Sequence, residues 1–163
     1  MKKWYLVLLK PGKGNALKAK EKLENMGVIT FYPLLHKKQM RKDRHNTMRI
    51  VSQPLFPGYI FLYFDSNGGL FSKIECCEGV ICFIRFGNGP ATIRDSVMGN
   101  IIATCFKLGV ENVDVVEGNV EIMEGNTVDT YGERILSVIN EPNSSLKSMK
   151  LVAMINEMSQ VAK

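Results

Sequence analysis

The segment Tyr59–Asp65, YIFLYFD, is the strongest constraint this chain places on its own fold. Successive side chains of a strand point to opposite faces of a sheet. Tyr59, Phe61 and Tyr63 therefore share one face, and Ile60, Leu62 and Phe64 the other. Both sets are apolar. Such a strand is either central and covered on both sides, or one of its faces is a binding surface.

The neighbouring segments supply a sheet and helices. Residues 4–9 (WYLVLL) and 80–86 (VICFIRF) are short apolar runs that read as further strands. Residues 10–14 form a turn, Asn15 is placed to cap a helix running to about Met26, and Gly27 to end it. Ala16, Ala19, Leu23 and Met26 recur at helical spacing, which makes one buried stripe. Lys18 and Lys22 share another face, with Lys20 on its flank. Residues 28–35 read as a strand broken by Pro33, and residues 36–49 as a basic hairpin with its tip at 42–46. Residues 70–77 predict a short helix. Asp95 or Ser96 would cap another over 97–108, stopped by Gly109. The order β-α-β-β-α-β-α implies an α+β sandwich with a largely antiparallel sheet.

Charge divides the chain. Residues 1–50 carry a net charge of +10 and residues 51–163 a net of −5. The asymmetry points the basic half toward nucleic acid or a membrane surface, or else places solvated lysines on ordinary faces. Residues 111–133 contain seven acids and no Lys or Arg. This marks 109–122 as an acidic linker between a domain over 1–108 and a small one over 123–163. The last segment is ambiguous. Residues 120–128 and 135–139 suit short strands. Leu151, Ile155, Met158 and Ala162 recur at helical spacing, as do Leu146, Met149 and Ala153.

Several classes of function lack support. Cys76, Cys77, Cys82 and Cys105 do not have paired zinc spacing, and the adjacent pair does not suit one tetrahedral ion. They are expected to be reduced packing residues. There is no GxGxxG, Walker A or HExxH pattern, and the two histidines, His36 and His45, sit in the basic stretch. The expectation is a binding protein without cofactor, metal or catalytic residues. The apolar run at 4–9 is too short for a signal peptide and no run is long enough to span a membrane, so a cytoplasmic monomer is expected.

The run PLFPGYIFLYFD (54–65) resembles the NusG family of transcription elongation factors, and the likeness extends from WYLVLLKPG (4–12) through KAKEKLENMGV (18–28) to GVICFIRFGNGPA (79–91). The tail EPNSSLKSMKLVAMINE (141–157) is similar to the specialised, RfaH-like branch. The resemblance implies a NusG-type N-terminal α/β sandwich. It also implies a C-terminal domain that is an α-helical hairpin when closed or a five-stranded KOW-type β-barrel when released. It implies docking on the clamp helices of the RNA polymerase β′ subunit, with Tyr59, Phe61 and Phe86 at the pocket positions and Leu6 and Leu8 beside them. Ile60 and Leu62 are expected to be core.

The same resemblance places Lys10, Lys18, Lys20 and Lys22 at or beside positions that contact the non-template DNA strand, where lysines give salt-dependent affinity for phosphate. Leu70-Phe71-Ser72-Lys73 stands in place of the His-Thr-Thr-Thr segment with which RfaH-like relatives touch the β-subunit gate loop, which leaves Ser72 and Lys73 as the residues for that contact. Two departures follow. Cys77-Glu78 stands where the RfaH-like pattern has Thr-Arg; arginine reads guanine, and glutamate repels phosphate. The interdomain acid–base pair of that branch aligns with Gln53 and Lys147, which lack ion-pair attraction. Closure is then expected to rely on Leu146, Met149, Leu151 and Ile155. The implied function is a specialised antitermination factor with an autoinhibitory C-terminal domain, a ribosomal protein of the small subunit being a further partner of that domain. The alternatives are a general NusG-type factor with a permanent β-barrel, and a basic nucleic-acid-binding module without polymerase contact.

Overall fold

The computed structural model describes residues 1–43, 46–110 and 130–160. Its centre is an antiparallel pair, β1 (Lys2–Leu9) and β5 (Tyr59–Asp65), in register from Lys2 opposite Asp65 to Leu8 opposite Tyr59. β2 (Ile29–Phe31) borders β5. β6 (Val80–Phe83) and the short β9 (Thr92–Ile93) both border β1, at different points along it. The order is β2-β5-β1-β6, and every pairing is antiparallel.

Both faces of β5 are covered, as its two-sided pattern demands. On one face Ile60, Leu62 and Phe64 join Tyr5, Val7 and Leu9 beneath α1 (Asn15–Asn25) and α2 (Leu70–Glu75), with Ala19, Leu23 and Ile74 in the same core. Tyr5 and Phe64 lie 4.8 Å apart between centroids, and Phe71 stands edge-on to Tyr5 at 5.2 Å. On the other face Trp4, Leu6 and Phe61 lie in one core with residues of α3 (Asp95–Lys107), α4 (Thr130–Ile139) and α5 (Ser144–Gln160). The strand is central, with helices above and below.

Several local expectations are corrected. Gly14, in the left-handed conformation, occupies the N-cap of α1, and Asn15 is the first helical residue; its side-chain amide donates to the Pro11 carbonyl at 2.9 Å instead. α3 begins at Asp95 behind an extended Arg94, and no side chain caps it. The run 80–86 is two strands. Ile84 leaves the β6 path, although its N–H still donates to the Leu6 carbonyl at 2.9 Å. Beyond it β7 (Arg85–Phe86) folds back on β8 (Gly89–Pro90). Pro33 separates β2 from β3 (Leu34–Met40), because it has no N–H to give a ladder. β3 pairs with β4 (Met48–Pro54) as a two-stranded ribbon carrying Lys37, Lys38 and Arg49, and the basic hairpin therefore forms. Arg44 and His45, at its tip, lie outside the described residues.

The C-terminal segment is a helical hairpin. Residues 135–139, compatible with a strand by composition, are helical because Ile135, Val138 and Ile139 fall on one helix face and are buried in the core shared with α3 and α5. Asn143 caps α5, its Oδ1 accepting from the Ser145 N–H at 3.0 Å and the Leu146 N–H at 3.2 Å. Arg134 bonds Glu157 across the hairpin at 2.8 Å, and Lys150 pairs with Glu141. The acidic linker from residue 111 on and the suggested strand over 120–128 lie outside the described residues.

Candidate functional site

The residues expected to dock a partner fall on one sheet face. Leu6 is the register partner of Phe61, and Leu8 of Tyr59. Phe86, from β7, packs at the margin of the same core. Leu6 and Phe61 are 0% exposed, with Phe56 edge-on to Phe61 at 5.7 Å between centroids. Leu8, Tyr59 and Phe86 are half-buried. Burial pushes the Tyr59 hydroxyl above the ordinary tyrosine range, with a smaller contribution from Cys82. Ile60 and Leu62 belong to the opposite core.

Leu6 and Phe61 share their core with the C-terminal hairpin. Ile135, Val138 and Ile139 of α4 and Leu151, Met154, Ile155 and Met158 of α5 all join the cluster that contains them. Two hydrogen bonds tie α5 to the N-terminal part. The Arg94 guanidinium donates to the Met158 carbonyl, and the Ser148 hydroxyl donates to the Pro57 carbonyl at 3.3 Å.

The expected interdomain set is only partly at this interface. Leu151 and Ile155 are buried in it, but Leu146 is 46% exposed and Met149 68%. Helix phase is the reason. The buried stripe runs back from Met158 through Ile155, Met154 and Leu151 to positions 147 and 148, which are Lys and Ser, so Leu146 and Met149 flank it. Gln53 is exposed on β4. Lys147 faces Lys37. Burial first, and then the Lys37 charge, push the Lys147 ammonium below the usual lysine range, against the opposing pull of Glu141. Arg94, Met154 and the three α4 residues were not among the expected contacts. Met154 and the α4 residues are detectable as helix stripes, but Arg94 bonds a main-chain carbonyl and leaves no pairwise signal in sequence.

The four lysines near α1 are not equivalent. Lys20 is half-buried and pairs with Glu24 at 2.8 Å. Lys22 pairs with Glu78. Lys10 and Lys18 are exposed. Gly79 brings these charges together: its backbone approaches α1 so closely that an added Cβ would sit 3.0 Å from the Ala19 Cβ and 3.1 Å from the Asn15 carbonyl oxygen. The Lys10 N–H donates to the Gly79 carbonyl at 2.8 Å. The hydrogen bond from Lys22 holds the Glu78 carboxyl below its ordinary range, with Lys18 and Lys10 adding to the effect. The result is a basic patch with one carboxylate inside it. Ser72 and Lys73 are exposed on α2.

The cysteines are free thiols; Cys105 is on the buried face of α3, and desolvation pushes its thiol up to about 12. Among the described residues no group of His, Cys, Asp or Glu is arranged to hold a metal ion, and no helix is long and apolar enough to cross a membrane.

The sheet therefore has one apolar face shared with α3, α4 and α5, and α1, which carries the lysines, lies over the opposite face. The family model described as transcription termination factor nusG matches residues 2–102, which span the whole sheet and most of α3. Members of that family bind RNA polymerase and act in transcription elongation and termination, without enzymatic activity of their own. The chain belongs to the NusG family of transcription factors.

Proposed function

We propose that this chain is a specialised, RfaH-like elongation factor that suppresses pausing and termination, and that its C-terminal hairpin holds it inactive until it is recruited. In this reading Leu6, Leu8, Tyr59, Phe61 and Phe86 form the surface for the clamp helices of the polymerase β′ subunit. Lys10, Lys18 and Lys22 contact the exposed non-template strand, with Lys20 beside them. Ser72 and Lys73 face the β gate loop. A released C-terminal domain is free to take another packing and to meet a ribosomal protein of the small subunit.

The observation that carries this reading is the packing of α4 and α5 in one core with Leu6 and Phe61. A face so apolar is held in water only under a cover, and α4 and α5 share that cover with α3. A hairpin whose two helices bury Met, Leu, Ile and Val against a second element is able to exchange that cover for a partner with a similar surface.

Capture of core RNA polymerase by the full chain tests the reading. Binding is expected to be weak for the wild-type chain, strong for Ile155→Asp, which places a charge in the interface, and lost with polymerase lacking the clamp-helix tip. Equal binding to the tip-deleted enzyme would overturn the assignment of the face. Carbon NMR shifts of residues 130–160 test the other part: helical shifts are expected in the free chain, and barrel shifts there would favour a general NusG-type factor.

A further inference from the structure

The β3–β4 ribbon has two unlike faces. Register partners in an antiparallel pair point to the same side, and so do residues two apart along each strand. Met40 with Met48, Lys38 with Ile50 and His36 with Ser52 therefore share one face. Gln39 with Arg49, Lys37 with Val51 and Leu35 with Gln53 share the other. Side-chain hydrogen bonds agree with this division. His36 Nδ1 and the Ser52 hydroxyl lie 2.8 Å apart on the first face, and Arg49 donates to the Gln39 side-chain carbonyl at 3.4 Å on the second.

The base of the ribbon joins the body of the molecule through Leu34 and Leu35, each packed against one of the two cores. Met40, Met48 and Ile50, further out on the first face, belong to neither core and are 58%, 62% and 69% exposed. Three large aliphatic side chains thus lie together in water on strands that pair only with each other. Their setting is basic. Neither strand carries an acid; Lys38 stands opposite Ile50 within the same face, and Arg41 and Lys42 follow Met40. A ligand for this surface has to bring apolar groups and negative charge together.

We propose that this face of the ribbon is a docking surface for an acidic amphipathic helix of another protein. The apolar stripe of that helix lies on Met40, Met48 and Ile50, and its flanking carboxylates meet Lys38 and Lys42. Such a helix presents aliphatic side chains at i, i+3 and i+4 in a single row, beside its charges. Nucleic acid supplies the charge, but its apolar surface is the face of its bases. Neither strand carries a Phe, Tyr or Trp on which a base would stack, and an aliphatic wedge enters a duplex only at the cost of unstacking it. Methionine is unbranched and adapts to an irregular partner surface, which suits the Met40–Met48 pair to this role.

Fluorescence anisotropy tests this with the full chain and a labelled designed helix, leucine along one side and glutamate elsewhere. The same helix with lysine in place of glutamate, and a labelled DNA duplex, are the comparison probes. The acidic helix is expected to bind and the lysine helix not to. Ile50→Thr and, separately, Met48→Thr are each expected to weaken binding about tenfold, as is Lys38→Glu, whereas Lys107→Glu on α3 leaves it unchanged. Threonine keeps the strand preference of the position, so the ribbon persists in these variants. With methyl-labelled methionine, the Met40 and Met48 signals are expected to move on binding and that of the buried Met98 to stay. Absence of binding, or binding insensitive to Ile50→Thr and Met48→Thr, would overturn the proposal. Tighter binding of the duplex, weakened by the same substitutions, would overturn it in favour of nucleic acid. Sedimentation of the chain alone as a dimer that Ile50→Thr dissociates would overturn it in favour of a second copy.

Discussion

The guanidinium of Arg94 donates to the main-chain carbonyl of Met158, in the last full turn of α5. That carbonyl is among the last four of the helix, which have no partner within it. One exposed side chain of the sheet domain therefore completes the end of the hairpin's longer helix. Arg94→Ala is expected to weaken closure by about 1–2 kcal/mol, the lower part of the scale of a hydrogen bond from a charged donor. Faster exchange of residues 154–158, with β1 and β5 unchanged, checks it.

Lys147 acts in the opposite sense. Its ammonium is disfavoured in the closed state, so the group costs stability while it is protonated. Because its folded value is depressed, the cost is full below that value and fades as pH rises from there through the ordinary lysine value of 10.5. Lys147→Met removes the charge at every pH and keeps the stem that covers apolar surface. It is expected to raise the urea midpoint at pH 7 by an amount corresponding to less than about 1 kcal/mol, and to abolish that part of the pH dependence. A midpoint lowered by the substitution would show that Lys147 supports closure.

Tyr59→Ala separates binding from folding. Tyr59 is half-buried in the closed chain, and its neighbour Phe61 fills the core. The substitution is expected to weaken polymerase binding by about 1–3 kcal/mol while the chain stays folded. Circular dichroism and binding measured on the same preparation decide the matter; loss of fold would place Tyr59 in the core.

The lysine patch predicts an order of effects on nucleic-acid affinity. Lys18→Glu and Lys10→Glu are expected to lower affinity for single-stranded DNA and to reduce its salt slope by about 1 each. Lys20→Gln is expected to do little, because that ammonium is turned to Glu24. Glu78→Gln is expected to raise affinity by freeing Lys22. Titrations of fluorescent oligonucleotide at several salt concentrations read all four.

Gly79→Ala is expected to destabilise the sheet domain by about 2 kcal/mol or more. The residue has φ 94°, and the added methyl would press on Ala19 and the backbone of Asn15. Thermal unfolding measures it, and an unchanged midpoint would mean that α1 moves aside freely.

Much of the sheet was legible because a two-sided apolar strand has few places to go. β5 needed cover above and below, and the stripes of α1 and α3 supplied part of it. The C-terminal segment was less legible for a definite reason. Residues 135–139 are rich in β-branched side chains, whose local preference favours strands, and only the faces of α3 and α5 make the helix the better burial. Within α5, Lys147 and Ser148 occupy stripe positions. A search for apolar residues at those positions finds Leu146 and Met149 instead, one step out of phase. The Lys22–Glu78 pair was not legible either, since the two residues are 56 positions apart and meet only because Gly79 lets α1 come close.

The β3–β4 ribbon has a consequence for how charge acts over this molecule. Its strands are seven residues each and pair with each other rather than with the central sheet. At about 3.3 Å per residue the ribbon is about 20 Å long, while ions at physiological strength damp a charge within about 8 Å. Arg41 and Lys42, past the end of β3, are thus screened from charges at the base of the ribbon beside Leu34 and Pro54, and only at low ionic strength does charge at one end of the ribbon act on the other.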